Sequence, residues 1–124
     1  MTKFLITPAS KALPVQYSAV APVATVNVAV PSALTMAQHQ GKMINVVPGG
    51  SVSMSLAQCP LGFICILVNS TGAPLAPALT GYSQATLHSA FGIVAVAPGG
   101  MATLIVHSPD GGATVRVKAA GELV

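Results

Sequence analysis

Acidic side chains are almost missing from this chain. Asp110 and Glu122 are its only carboxylates, and charged residues make up 6% of the 124 residues. A carboxylate pair for acid–base work or glycoside cleavage would have to be these two. Asp110 sits in a Pro-Asp-Gly-Gly turn, where Asp caps its own backbone, and Glu122 lies in a tail expected to fray. Tryptophan is absent, and the aromatics are Phe4, Tyr17, Phe63, Tyr82 and Phe91, which argues against a stacking platform for bases or sugars. Cys59 and Cys65 do not make a CxxC motif. Cys65 falls in an apolar run, where a free thiol behaves as a small hydrophobe. The pair reads as two thiols, although a turn at Pro60-Leu61-Gly62 would allow a disulfide. His39, His88 and His107 lack metal-ligand spacing and read as polar residues near strand ends. His107-Ser108 with Asp110 has the residue types of a hydrolase triad. Strand neighbours point to opposite faces, however, so the cluster cannot make the relay. The glycine pairs lie in turns, and none opens a phosphate-binding helix. No catalytic, cofactor-binding or metal-ligating residue is therefore assigned, no cofactor is expected, and the chain is read as not an enzyme.

Five bases against two acids leave a net charge of +3. The bases are scattered from Lys3 to Lys118, which does not make a phosphate-tracking stripe, so no nucleic-acid partner is expected. Lys3, Lys11 and Lys42 leave open a weak contact of the first 42 residues with an acidic partner. Phe4-Leu5-Ile6 is too short for a signal-peptide core and is followed by Pro8. The uncharged stretch from Ala12 to His39 is broken by Pro14, Pro22 and Pro31, so no membrane span is expected.

Hydrophobic residues make up 52% of the chain. A domain this small cannot hide so much apolar area within itself, which implies cover from other subunits. The first 42 residues read as an extended Pro-rich arm. It would carry a strand over VATVNVAV (with Val26, Val28 and Val30 on one face) and a turn or two of helix capped by Ser32 and ended by Gly41. Residues 43–124 read as the folded domain, with about eight strands. Ser51–Leu56 alternates apolar and serine. Phe63–Val68 is apolar on both faces, so it should be a central, fully buried strand. Asn69–Gly72 is a turn cluster, and its match to a glycosylation sequon is read as a turn. Gly92–Val106 places two apolar runs around Pro-Gly-Gly, which reads as a β-hairpin or at least two consecutive strands, and Ile44–Leu56 is a looser copy. The fold class is all-β: an antiparallel β-sandwich or jelly-roll-like barrel with an extended N-terminal arm.

Three segments carry a resemblance: FICILVNSTGAP (63–74), LHSAFGIVAVAPGGMATLIV (87–106) and SPDGGATVRV (108–117). Together with the strands before them, from Ile44 to Val117, they resemble the small β-sandwich domains of tailed-bacteriophage virion structural proteins. The resemblance implies a capsid decoration or cement protein that stabilises a phage head. It would bind the major capsid protein or other virion subunits, as a homo-oligomer with a trimer favoured, and be assembled in the host cytoplasm into the virion. The arm would then reach across neighbouring subunits. The alternative is a receptor- or glycan-binding module of a tail fibre or surface adhesin. Its candidate binding residues are Tyr82 and His88, in the loop from Thr80 to Ser89.

Overall fold

The computed structural model describes residues 23–124. The proline spacing of the arm up to Pro22, and the extended piece expected at Leu13–Val20, lie outside the described residues. Eight strands and one short helix follow: β1 (Thr25–Val28), β2 (Pro31–Ala33), α1 (Met36–His39), β3 (Met43–Val46), β4 (Ser51–Ser55), β5 (Ile64–Asn69), β6 (Ala78–Thr80), β7 (Met101–His107) and β8 (Arg116–Gly121). Among the described residues no helix is long and apolar enough to cross a membrane.

The all-β expectation holds in its coarse form, and the antiparallel one does not. One sheet has the order β1-β3-β5-β7-β8 and the other β2-β4-β6. β1, β3 and β5 run parallel, as do β2, β4 and β6. The antiparallel pairs are β5 with β7 and β7 with β8. Neither sheet closes into a barrel. The chain winds between the sheets, laying one strand on each: β1 then β2, β3 then β4, β5 then β6. Parallel neighbours need a crossover, which is usually a helix. Here the crossover is a strand of the other sheet, so no βαβ pattern shows in the sequence. Alternation betrays which face of a strand is buried but not which way its neighbour runs.

The Pro-Gly-Gly units are turns without hairpins. Gly50 N donates to Val47 O and Gly100 N to Ala97 O, both at 2.9 Å. Proline at the second position and positive φ at the third (Gly49 +94°, Gly99 +75°) is the type II pattern. Two-residue hairpins favour the mirror-image turns, because types I and II splay the flanking strands. The first unit accordingly sends β3 into one sheet and β4 into the other. A Cβ on Gly50 would overlap the Val28 carbonyl, so glycine is what lets this turn lie against β1. In the second unit only β7 is a strand. Val96 makes single bridges to Leu75 and Leu123, and β7 pairs with β5 and β8.

Other local expectations change with this topology. Six strands follow residue 42 rather than eight. The described part of the arm supplies β1 and β2, which pair with β3 and β4. Thr35, not Ser32, caps α1: its side chain accepts from Gln38 N at 3.2 Å. The expected strand face of Val26, Val28 and Val30 ends at Val28, which is buried, whereas Val30 is exposed. The C-terminal residues do not fray. β8 runs to Gly121, and Val124 N donates to Ala95 O at 2.8 Å.

Both sheets contribute to one core: Val28, Ile44, Val46, Cys65, Leu67, Leu104 and Val117 from the larger, Val52 and Met54 from the smaller, with Leu34, Phe63 and Val96 from the connections. Cys59 and Cys65 are free thiols inside it. Desolvation raises them, Cys59 to about 11 and Cys65 to about 12, the latter with a contribution from Cys59. Thiolate is the reactive form. A disulfide-exchange reagent at neutral pH should therefore titrate neither thiol in the folded protein and both after denaturation. Rapid native labelling would mean that the core opens locally.

Candidate docking face

The larger sheet buries one face and leaves the other open. Along β5 the burial alternates, with Cys65, Leu67 and Asn69 buried and Ile64, Ile66 and Val68 on the other side. The strand is central, as expected, but only one of its faces is fully buried. Its neighbours put Met43, Met101, Thr103 and Ile105 on the same open face. Register aligns them in rows: Met43, Ile66 and Thr103 in one, Ile64 and Ile105 in the next, Val68 and Met101 in a third. Ile64 is 37% exposed, Ile105 39% and Met101 45%. A depression of about 270 Å³ over Ile66, Met101, Thr103 and Ala120 makes this face uneven. Parallel strands are normally covered on both faces. An open isoleucine–methionine face on β3 and β5 departs from that rule.

Two polar borders flank this strip. At one end Asn45 Nδ2 donates to Asn27 Oδ1 at 3.1 Å, and Ser70 Oγ donates to Asn45 Oδ1. At the other end the register places His107 opposite Arg116 and Ile105 opposite Lys118. His88 forms a parallel bridge to Lys118, with His88 N donating to Val117 O and Ala119 N to His88 O, both at 2.8 Å. The result is a basic corner of His88, His107, Arg116 and Lys118. His88 is held below the ordinary imidazole value by partial desolvation and then by the charges of Arg116, Lys118 and His107.

The residues singled out from sequence have different fates. His88 belongs to this corner. Tyr82 is half-buried, packs against the core and donates its hydroxyl to Cys59 O at 2.7 Å. Burial and the neighbouring Cys59 raise its phenol. His39 is buried, its Nδ1 accepting from Thr35 N at 2.9 Å. Ser108 Oγ donates to Asp110 Oδ1 at 2.9 Å and accepts from Gly112 N at 2.7 Å. Asp110 Oδ1 accepts from Thr114 N at 2.7 Å, so this cluster caps a turn, as its residue types suggested. Among the described residues, no group of three His, Cys, Asp or Glu could hold a metal ion. Sequence reading missed Arg116 and Lys118 as partners of His88 and His107. Their i, i+2 spacing on one strand face was visible, but the register that aligns them with β7 was not.

No family model, curated protein or solved structure matches the chain.

Proposed function

We propose that this is a non-catalytic structural virion protein of the capsid decoration or cement class. It docks on the major capsid protein of a phage head through the open face of its larger sheet. The observation that carries this reading is the open apolar strip of Ile64, Ile66 and Val68 on β5, continued by Met101 and Ile105 on β7. Affinity comes from burying that strip, with partner side chains seated in the depression beside Met101. The resemblance of residues 44–117 to virion β-domains points the same way. A homotrimer is the assembly favoured.

The test is co-sedimentation of the purified full chain with expanded empty capsids of the phage that encodes it. The wild type should pellet with capsids and raise their heat resistance. Ile64→Asp buries an unpaired carboxylate in the contact and should weaken binding by about 2 kcal/mol or more, roughly thirtyfold. Its circular dichroism should match the wild type, because Ile64 is on the open face. A wild-type protein that never co-sediments with those capsids overturns the reading. Binding to host cells instead would favour the receptor module, for which the 88% exposed Phe91, near His88 in sequence, is the supporting observation.

A further inference from the structure

We propose that the corner formed by His88, His107, Arg116 and Lys118 is a recognition site for an acidic peptide segment of a partner protein, one that carries an apolar residue among its carboxylates. This deepens the docking reading of the same sheet and names the chemistry of the partner.

Among the described residues, both carboxylate side chains are hydrogen-bonded away from this corner. Asp110 lies in the loop between β7 and β8, and its carboxylate is held low by hydrogen bonds from Thr114 and Ser108. Glu122 is committed to the far end of β8, where its Oε1 accepts from Met101 N at 2.9 Å. His107 Nδ1 and Arg116 Nε are buried without a hydrogen-bond partner among the described residues. Polar capacity at this corner is thus not consumed by the fold. Both atoms are sealed from solvent, so a carboxylate arriving from outside would meet the terminal guanidinium nitrogens of Arg116 and the Lys118 ammonium.

An apolar crevice adjoins the cations. Between the bridge at His88 and the pairing of Ala95–Ala97 with Glu122–Val124, the segment 89–93 bulges away from β8. Ser89 Oγ closes that bulge on Ile93 N at 2.8 Å and Ile93 O at 2.7 Å. The crevice beneath it has about 260 Å³ and is lined by Phe91, Ile93, Ala120, Leu123 and Lys118. Lys118 belongs to both the corner and the crevice, so a carboxylate on the lysine brings the next apolar side chain to the opening.

A nucleic acid fits less well. Two permanent cations at the end of an isoleucine strip do not track a phosphate backbone. Charged groups at the edge of an apolar patch are the anatomy of a protein interface. The groups facing His88 are Lys118 and Arg116 on β8 and His107 on β7. All of them oppose its protonation, and a bound carboxylate would favour it. Binding should therefore strengthen as the pH falls through the histidine range.

The test is an amide and imidazole NMR titration of the full chain at low ionic strength with the acetylated pentapeptide EELEE. Saturable shifts at His88, His107, Lys118 and the crevice residues are expected. Binding should be tighter at about pH 5.5 than at about pH 7.5, a range in which glutamate stays ionised. Arg116→Gln combined with Lys118→Gln should weaken it about tenfold, with the methyl spectrum confirming the fold. The peptide EESEE should bind less tightly, and oligothymidylate no more tightly than EELEE. Absence of saturable shifts, an unchanged affinity in the double variant, equal binding of EESEE, or tighter binding of oligothymidylate each overturns the proposal. A null peptide result leaves capsid co-sedimentation intact. Loss of co-sedimentation with peptide binding retained instead removes the capsid assignment.

Discussion

Asn69→Asp should destabilise the fold by about 3–5 kcal/mol at neutral pH, the usual cost of a buried charge without a partner. Asn69 is fully buried at the end of β5. Its amide donates to Ala73 O at 2.7 Å and to Val96 O at 3.0 Å. Its Oδ1 accepts from Thr71 N at 3.0 Å and from the Thr71 hydroxyl. Each hydrogen-bonding position of the side chain is filled. Its backbone ties in the second Pro-Gly-Gly turn: Asn69 N donates to Gly100 O, and Gly99 N donates to Asn69 O, both at 2.8 Å. An aspartate keeps the acceptors but faces two carbonyls with no protons to give. Those carbonyls would raise its folded-state pKa above the unfolded value of about 3.9. The penalty is then absent below the unfolded pKa and complete above the folded one, so stability should partly recover in acid. Protonation restores one donor for two carbonyls, hence only part. Denaturant midpoints measured from about pH 3 to 8 test this, and a flat profile would show that the site takes in water instead. The same burial makes the Asn69-Ser70-Thr71 sequon a structural turn.

Phe63→Ala should cost about 3–5 kcal/mol, a large part of the 5–15 kcal/mol typical of a domain. Phe63 is fully buried and among the largest buried side chains. It enters from a turn in which Phe63 N donates to Pro60 O at 3.0 Å, and its carbonyl accepts from Val106 N at 2.9 Å. Phe91→Ala is the control: at 88% exposed it should change stability by no more than about 0.5 kcal/mol. Urea unfolding followed by circular dichroism reads both. Equal effects for the two phenylalanines would contradict the placement of the core.

These two phenylalanines show what the sequence made legible. Phe63 leads an apolar run that was recognisable as a central strand, but with both faces apolar it read as fully buried, and the open face was not legible. The serine alternation of β4 and the capped turn after β7 were equally readable, since each is decided within a few residues. Strand partners were not readable in this way. Two Pro-Gly-Gly turns looked like hairpins because apolar runs flank both. The difference lies in turn handedness and in a crossover through the second sheet, both set by distant backbone. The candidate face failed to show for the same reason. Ile64 and Ile105 are adjacent only after β5 and β7 pair, and His88 reaches Lys118 only because a short bridge lies along β8. Tyr82 looked like an exposed loop aromatic, yet its hydroxyl reaches a carbonyl in a different connection.

The alternating path of the chain also bears on how the molecule is made. β1, β3 and β5 are separated from one another along the chain by strands of the second sheet, and β2, β4 and β6 by strands of the first. Neither sheet can be completed while the other is absent. Of the strand pairs, only β7 with β8 is closed by a short local turn. Contacts so distant in sequence place the chain with slow folders, in the range of about milliseconds to seconds. They also leave little room for a half-formed molecule that keeps one sheet and loses the other.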